Sequence, residues 1–484
     1  MTDSTTADVD RAARAAAGAF TATAAASARE RAGWLRSVAE ELDRNVDELV
    51  GIAGRETGLT EPRLRGEVAR TSGQLRMFAD VIEEGSYLEA VIDHADAGAT
   101  PPKPDLRRIL RPIGPVAIFA ASNFPFAFSV AGGDTAAALA VGAPVVVKAH
   151  SGHRELSERT AELVTAALSA AGAPQGTFSL VSGREAGIAL IEHPLIAAGS
   201  FTGSVAGGRA LYDRAAQRPD PIPFFGELGS LNPVVVTAAA DRARGAVLAE
   251  GLATSFQGSS GQLCTKPGLV LVPEDSVLEV ALAAHVGESA HRLLTDSIDA
   301  AFRDGTEQLA AIPGVELVAG AGPAESQEPR PVVYAAGLEV FADARYREAL
   351  TAEVFGPATL LVRYPDSVDD LPSHLAALEG SLTATIHAEP EDDIEELVAV
   401  LGERAGRLLF AGWPTGVAVT WSQHHGGPWP ATTSQHTSVG ATATRRFQRP
   451  IVYQDAPERV LPDALLDANP LGIPRRVDGA LVVR

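Results

Sequence analysis

Apolar residues three and four positions apart recur from about Val9 to Ile82, as in the stretch 34–42, WLRSVAEEL, and predict helices with one buried stripe. The alanine tract 12–26 fits that reading, because alanine has the highest helix propensity. From Gly114 the period changes. Short apolar runs at 115–120, 144–148, 177–181 and 199–201 read as strands, separated by helical patterns over 128–141, 156–170 and 206–217. Such alternation predicts an α/β fold, a parallel sheet covered on both faces with ligands at the carboxyl ends of its strands. A second alternating region runs from Ser230 to about Thr420. A strand over 107–112 follows the stiff segment PPKP at 101–104, and another covers 447–453, where Pro450 implies an edge.

Composition narrows the class. With 484 residues the chain is long enough for about two to four domains. Its 40 basic and 61 acidic residues give a net charge of −21, which argues against nucleic acid and against anionic membrane surfaces as partners. A single cysteine excludes an internal disulfide framework and points to a reducing, cytoplasmic setting; the N-terminus has no signal-peptide pattern. The most apolar window, 114–133, contains Asn123 and Pro125 near its centre and reads as strand, loop and helix start, not as a membrane span.

That one cysteine, Cys264, lies in SFQGSSGQLCTKPG at 255–268, where Gly258, Gly261 and Gly268 permit close backbone approach to a ligand after a helix over 251–256. Taken alone, a free cysteine is more often a small buried hydrophobe. Two other stretches favour chemistry. In FFGELGS at 224–230, Glu227 stands between glycines in an apolar setting, where burial raises a carboxyl towards the range of a useful base. In ASNFPF at 121–126, Asn123 offers an amide to a developing oxyanion.

These three motifs, in this order and followed by EVFGP at 353–357, resemble the aldehyde dehydrogenases along essentially the whole chain. The resemblance implies two doubly wound parallel-sheet domains plus a small oligomerisation hairpin. A dinucleotide-binding domain would span 1–229 with a protruding segment near 90–113, a catalytic domain 230–420, and a C-terminal return and oligomerisation segment 421–484. It implies Cys264 as nucleophile whose thiolate adds to a small aldehyde, Glu227 as general base and Asn123 as oxyanion donor. A homodimer or homotetramer is expected, with no metal.

The resemblance also places the cofactor. The usual GxGxxG fingerprint is missing after the first strand, and FTGSVAGG at 201–208 opens a helix instead, so Gly203, Ser204 and Gly208 would meet a pyrophosphate. Glu353 and Phe355 would hold the nicotinamide ribose and ring. Lys148 would meet the adenosine ribose; where NAD-preferring members carry glutamate the chain has Ser151. With His150, His153 or Arg154 nearby, a 2′-phosphate would find charge-assisted bonds, so NADP is expected, with NAD possible.

Within the family the chain most resembles the α-ketoglutaric semialdehyde dehydrogenases, through RTSGQLR at 70–76, the segment 258–268, HGGPWPATT at 425–433, TSVG at 437–440 and NPLG at 469–472. Arg70 is the candidate for the substrate carboxylate, Gln74 falls one turn on, and Phe128 and Trp429 are candidate apolar walls. The rival readings are a dehydrogenase for succinic semialdehyde or a long-chain aldehyde and, from another class, a cysteine hydrolase pairing Cys264 with His424 or His425. Coenzyme A acylation is disfavoured by Glu227.

Overall fold

The N-terminal stripe becomes four helices, Thr6–Ala25, Ala28–Arg44, Val46–Thr57 and Glu61–Glu84. The first two start at capping boxes built on Thr5 with Asp8 and on Ser27 with Glu30, each satisfying amide hydrogens the helix itself leaves free. Their apolar faces, including Trp34, Leu35, Leu64 and Phe78, pack into one core with the strands that follow. The chain is described by a computed structural model over residues 2–287, 291–321, 329–365 and 367–483.

The first sheet is fully parallel, in the order Phe178–Val181, Val145–Lys148, Val116–Phe119, Ala198–Thr202, Phe224–Glu227. Chain order runs outward in both directions from Val116–Phe119, so the switch point lies between that strand and Ala198–Thr202. The loops leaving those two strands, which carry Asn123 and Gly203, therefore open the crevice where doubly wound sheets bind ligands.

The second sheet has seven strands, in the order Glu316–Gly320, Val332–Gly337, Ala358–Tyr364, Leu269–Pro273, Val234–Val236, Ser381–His387, Ala405–Leu409. Only the edge strand Glu316–Gly320 runs antiparallel to its neighbour. Cys264 and Glu353 immediately precede strands of this sheet, so they stand at its amino ends. The site is thus shared: the first sheet offers the carboxyl ends of its strands and the second the amino ends.

A third sheet joins Gln448–Gln454, Leu106–Pro112, Val91–Asp93, Arg475–Val477 and Ala480–Val482. Pro450 lies on its edge strand, where a missing amide hydrogen breaks no ladder. Among the described residues no helix is long and apolar enough to cross a membrane.

One predicted helix is shorter than its pattern. The 128–141 periodicity yields a helix only over Gly133–Val141. Residues before it are held as a turn because the Glu67 carboxylate accepts from the amides of Phe126 and Ala127, at 2.8 and 2.9 Å. Gly132 also presses on that turn, so closely that a β-carbon there would come within 2.5 Å of the Ala127 carbonyl oxygen.

Candidate active site

Glu227 ends the strand Phe224–Glu227 and is buried. The next residue, Leu228, fills the space that a side chain at Gly208 would need, which locks this strand against the helix Val205–Gln217. Cys264 arrives from the other side, after the helix Ala238–Gln257 and a tight turn in which Ser259 and Ser260 both have φ of 53°. Gly261 and Gly268 do approach backbone closely, but the backbone is the protein's own: the carbonyls of Gly356 and Leu231. Asn232 clamps the loop, its side-chain amide donating to the carbonyls of Cys264 and Lys266 at 2.9 Å each. The Asn123 amide donates to the Gln262 carbonyl at 3.1 Å, two residues before the cysteine.

Three groups converge at the bottom of this junction. His425 Nε2 lies 3.5 Å from Cys264 Sγ and 3.0 Å from Glu227 Oε1, and the reactive atoms all lie within 4.8 Å of one another. The imidazole–carboxylate contact has ion-pair distance without hydrogen-bond alignment, since Oε1 has no aligned donor. Ser438 Oγ donates to Glu227 Oε2. Cys264 as a residue is partly exposed although its sulfur is enclosed by protein.

The electrostatics differ from expectation in two respects. Burial raises the Glu227 carboxyl, but the imidazole of His425, the Ser438 hydroxyl and the Arg446 guanidinium outweigh burial and hold it below its ordinary value. Burial pushes the Cys264 thiol well above its ordinary value, Glu227 adds to that rise, and Arg70 opposes it. The resting sulfur is therefore a thiol, not the standing thiolate expected from sequence, and its proton must leave when it attacks.

On the helix Glu61–Glu84, Arg70 projects between two rings, its guanidinium carbon 5.5 Å from the Phe124 centroid and 5.3 Å from that of Phe128. Its Nε and Nη2 are buried without a hydrogen-bond partner. Phe128 stands between Arg70 and His425, with ring centroids 6.2 Å apart in the second pair. Gln74 is buried against Gly133. Trp429 is 46% exposed, and its ring meets Arg209 of the helix Val205–Gln217.

On the side of the first sheet, Ser204 caps the helix Val205–Gln217, accepting from the amide of Gly207, and Gly203 lies tight under the Phe201 ring. Lys148 ends its strand half-buried, its ammonium making no hydrogen bond or ion pair among the described residues; burial lowers its pKa. Ser151 is exposed. His153 is placed differently from expectation. It is buried, Nε2 meets the Ala121 carbonyl at 2.9 Å and Nδ1 meets Ser157 Oγ at 3.1 Å, so neither nitrogen is free for a phosphate. Burial lowers the pKa of both His153 and His150, the latter to about 3, so neither supplies a cation at neutral pH. Arg154 is paired with Asp3 at 2.9 Å. At the second sheet, Glu353 Oε2 lies beside Gly229, where a β-carbon would come within 2.6 Å, and Phe355 follows half-buried. Burial raises Glu353 to about 7, and the neighbouring Lys266, buried, opposes that rise.

The family model described as "Aldehyde dehydrogenase family" matches residues 1–428. The chain belongs to the aldehyde dehydrogenase family. As an aldehyde dehydrogenase it is an oxidoreductase of aldehydes working through its catalytic cysteine, Cys264, with a nicotinamide dinucleotide, the family's cofactor. It is 46% identical over 485 residues to "Alpha-ketoglutaric semialdehyde dehydrogenase 2" of Azospirillum brasilense, covering 98% of this chain and 91% of that one. It is 41% identical to "Alpha-ketoglutaric semialdehyde dehydrogenase" of Acinetobacter baylyi, with coverage of 98% and 91%. In fold it matches aldehyde dehydrogenase 21 from Physcomitrella patens, solved with succinate, with a TM-score of 0.79 at 23% identity over 93% of this chain and 91% of that one.

Several residues of this dehydrogenase's site were not singled out in the sequence. Ser438, Glu67, Asn232 and Arg446 are buried polar groups serving the three catalytic loops, and each reaches its partner from a distant segment. His425 figured only as the partner of a rival hydrolase.

Proposed function

We propose that the chain oxidises α-ketoglutaric semialdehyde to 2-oxoglutarate, with NADP preferred and NAD accepted. The observation that carries the substrate is Arg70: a buried guanidinium with two unpartnered nitrogens, flanked by Phe124 and Phe128 and electrostatically coupled to Cys264. An unpaired buried cation is costly unless a ligand completes it, and an oxo-carboxylate does so. The names of the relatives at 46% and 41% identity support the same choice.

The residues act in sequence. His425 Nε2 takes the proton of the Cys264 thiol as the sulfur adds to the aldehyde carbon, and Glu227 stabilises the imidazolium. The oxyanion sits between the Asn123 amide and the Cys264 backbone N–H. The dinucleotide, when bound, accepts the hydride. A thioester to Cys264 remains; Glu227 deprotonates a water, the water oxygen attacks the acyl carbon, the carbon–sulfur bond breaks to release the acid, the His425 imidazolium returns its proton to the leaving sulfur, and Glu227 passes the water proton to solvent. A Cys–His–Glu set would also serve a hydrolase, and here it serves the second half of the oxidation.

The dinucleotide would be held by Lys148, Ser151, the turn at Gly203 and Ser204, and Glu353 with Phe355. The fit rests on the unpartnered Lys148 ammonium at a strand end and on the helix start at Val205, whose first amides lack partners within the helix. Lys148 and the missing carboxylate at Ser151 favour a 2′-phosphate. Assembly into a homodimer or homotetramer would use the third sheet, whose outer strands expose Val452 and Leu481. A free, working thiol fits the reducing cytoplasm.

The test is NADPH formation across aldehydes with and without a terminal carboxylate. The highest kcat/KM should fall on α-ketoglutaric semialdehyde; equal values for a simple aliphatic aldehyde of the same length would overturn the substrate.

A further inference from the structure

The geometry points to a reversible inhibitory site for a thiophilic divalent cation, Zn²⁺ foremost, held by Cys264 Sγ, His425 Nε2 and Glu227 Oε1.

The three donors are of the types zinc takes, and their atoms already lie within 4.8 Å of one another. Bond lengths of about 2.3 Å to sulfur and about 2.0 to 2.1 Å to nitrogen and oxygen, at tetrahedral angles, require edges of about 3.6 Å and about 3.4 Å. The observed Sγ to Nε2 separation is 3.5 Å and the Nε2 to Oε1 separation 3.0 Å, so the first edge is in place and the second opens by a few tenths of an ångström.

The surroundings support the donors. Ser438 donates to the other oxygen of Glu227, and the backbone amide of His425 donates to Thr437 Oγ1 at 2.7 Å, so carboxylate and histidine backbone are fixed from behind. Three protein ligands leave a fourth coordination position for a water. Arg70, Arg407 and Arg446 are cations coupled to the cluster, and the Glu353 carboxylate lies among its electrostatic neighbours.

Binding breaks the Sγ–H bond and forms a metal–sulfur bond; one proton leaves to solvent and nothing is oxidised or reduced. The sulfur pair that would attack the aldehyde is then engaged, so turnover stops while fold and dinucleotide site remain. Hard cations are excluded, because Mg²⁺ and Ca²⁺ take oxygen ligands in larger number. This site does not depend on which aldehyde is oxidised, so its failure would leave the dehydrogenase reading untouched.

The experiment uses the full chain freed of metal with a chelator, then titrated with buffered Zn²⁺ without substrate. About one Zn²⁺ per chain should be retained, alkylation of Cys264 by iodoacetamide should be blocked in proportion, and EDTA should restore both labelling and turnover. Co²⁺ in its place should give the near-ultraviolet absorption of a cobalt–thiolate bond. His425→Gln, with folding verified by circular dichroism and by NADP binding, should lower Zn²⁺ affinity by at least about 10-fold. His94→Ala, which alters an exposed histidine paired with Asp467 and Asp478, should change nothing. Zn²⁺ retention unaltered in His425→Gln, or lost in His94→Ala, would overturn the site. So would labelling that proceeds at full rate in the Zn²⁺-loaded protein, or equal protection by Mg²⁺. If His425→Gln does not fold, Cys264→Ser takes its place: loss of the cobalt–thiolate band with Zn²⁺ affinity unchanged would count against the assignment.

Discussion

His425 Nε2 stands between two partners, 3.5 Å from the sulfur of Cys264 and 3.0 Å from the carboxylate of Glu227. One nitrogen thus faces both the proton to be removed and the charge that would stabilise it. Because burial holds the thiol above its ordinary range, iodoacetamide labelling of the free enzyme should keep rising through pH 9 without a plateau. Arg70 opposes that rise, so Arg70→Met should slow labelling at pH 8 further. General-base assistance contributes about 100- to 10,000-fold, and His425→Asn should lose turnover within that range. Labelling that levels off below pH 8 in the wild type would contradict the thiol resting state.

Glu227→Gln separates the two halves of the reaction. The variant should give a burst of NADPH close to one per active site and then stall as the thioester, which mass spectrometry detects as an acylated chain. The wild-type carboxyl is held below its ordinary value, so the base stays ionised through the neutral range and its loss should appear only in acidic buffers. Because the folded-state value lies below the unfolded one, the stability this carboxylate contributes is present above the unfolded value and is lost as pH falls through the folded one.

Arg70→Met should act on one class of substrate. A hydrogen bond to a charged group contributes about 1.5 to 3 kcal/mol, so kcat/KM for α-ketoglutaric semialdehyde should fall by about 10- to 150-fold. An uncharged aldehyde of equal length should be little affected beyond the shift in thiol acidity. Equal losses would assign Arg70 to the cysteine alone.

Asp3 should influence cofactor choice from the start of the chain. The backbone amide of Ser4 donates to the Ser182 carbonyl, Asp3 lies against Gly183, and its carboxylate pairs with Arg154 at 2.9 Å while acting on Lys148. Asp3→Asn frees Arg154 and removes a negative charge from the expected 2′-phosphate corner. The pair is exposed, so the dissociation constant for NADP should tighten by only about 2- to 5-fold, with that for NAD unchanged. Isothermal titration with both dinucleotides checks this without relying on turnover.

The linear chain by itself determined the alternation that makes a doubly wound α/β protein, and the local motifs around Cys264, Glu227 and Asn123, because periodicity and short glycine-bounded motifs are properties of neighbouring residues. It did not determine the proton path. His425 lies 161 residues from Cys264, and Ser438 lies 211 from Glu227; only the packing of two sheets, one by carboxyl ends and the other by amino ends, brings them together. The same limit applies to charge. Glycines and apolar neighbours suggested a raised carboxyl at Glu227, and nearness to Lys148 suggested His153 for a charge-assisted phosphate contact, yet their states are set by what surrounds them in three dimensions. His425, Ser438 and Arg446 lower the first, and burial neutralises the second although its bond to the Ala121 carbonyl pulls the other way. Burial and Coulomb energies depend on distance through space, and that distance exists only once the chain has folded.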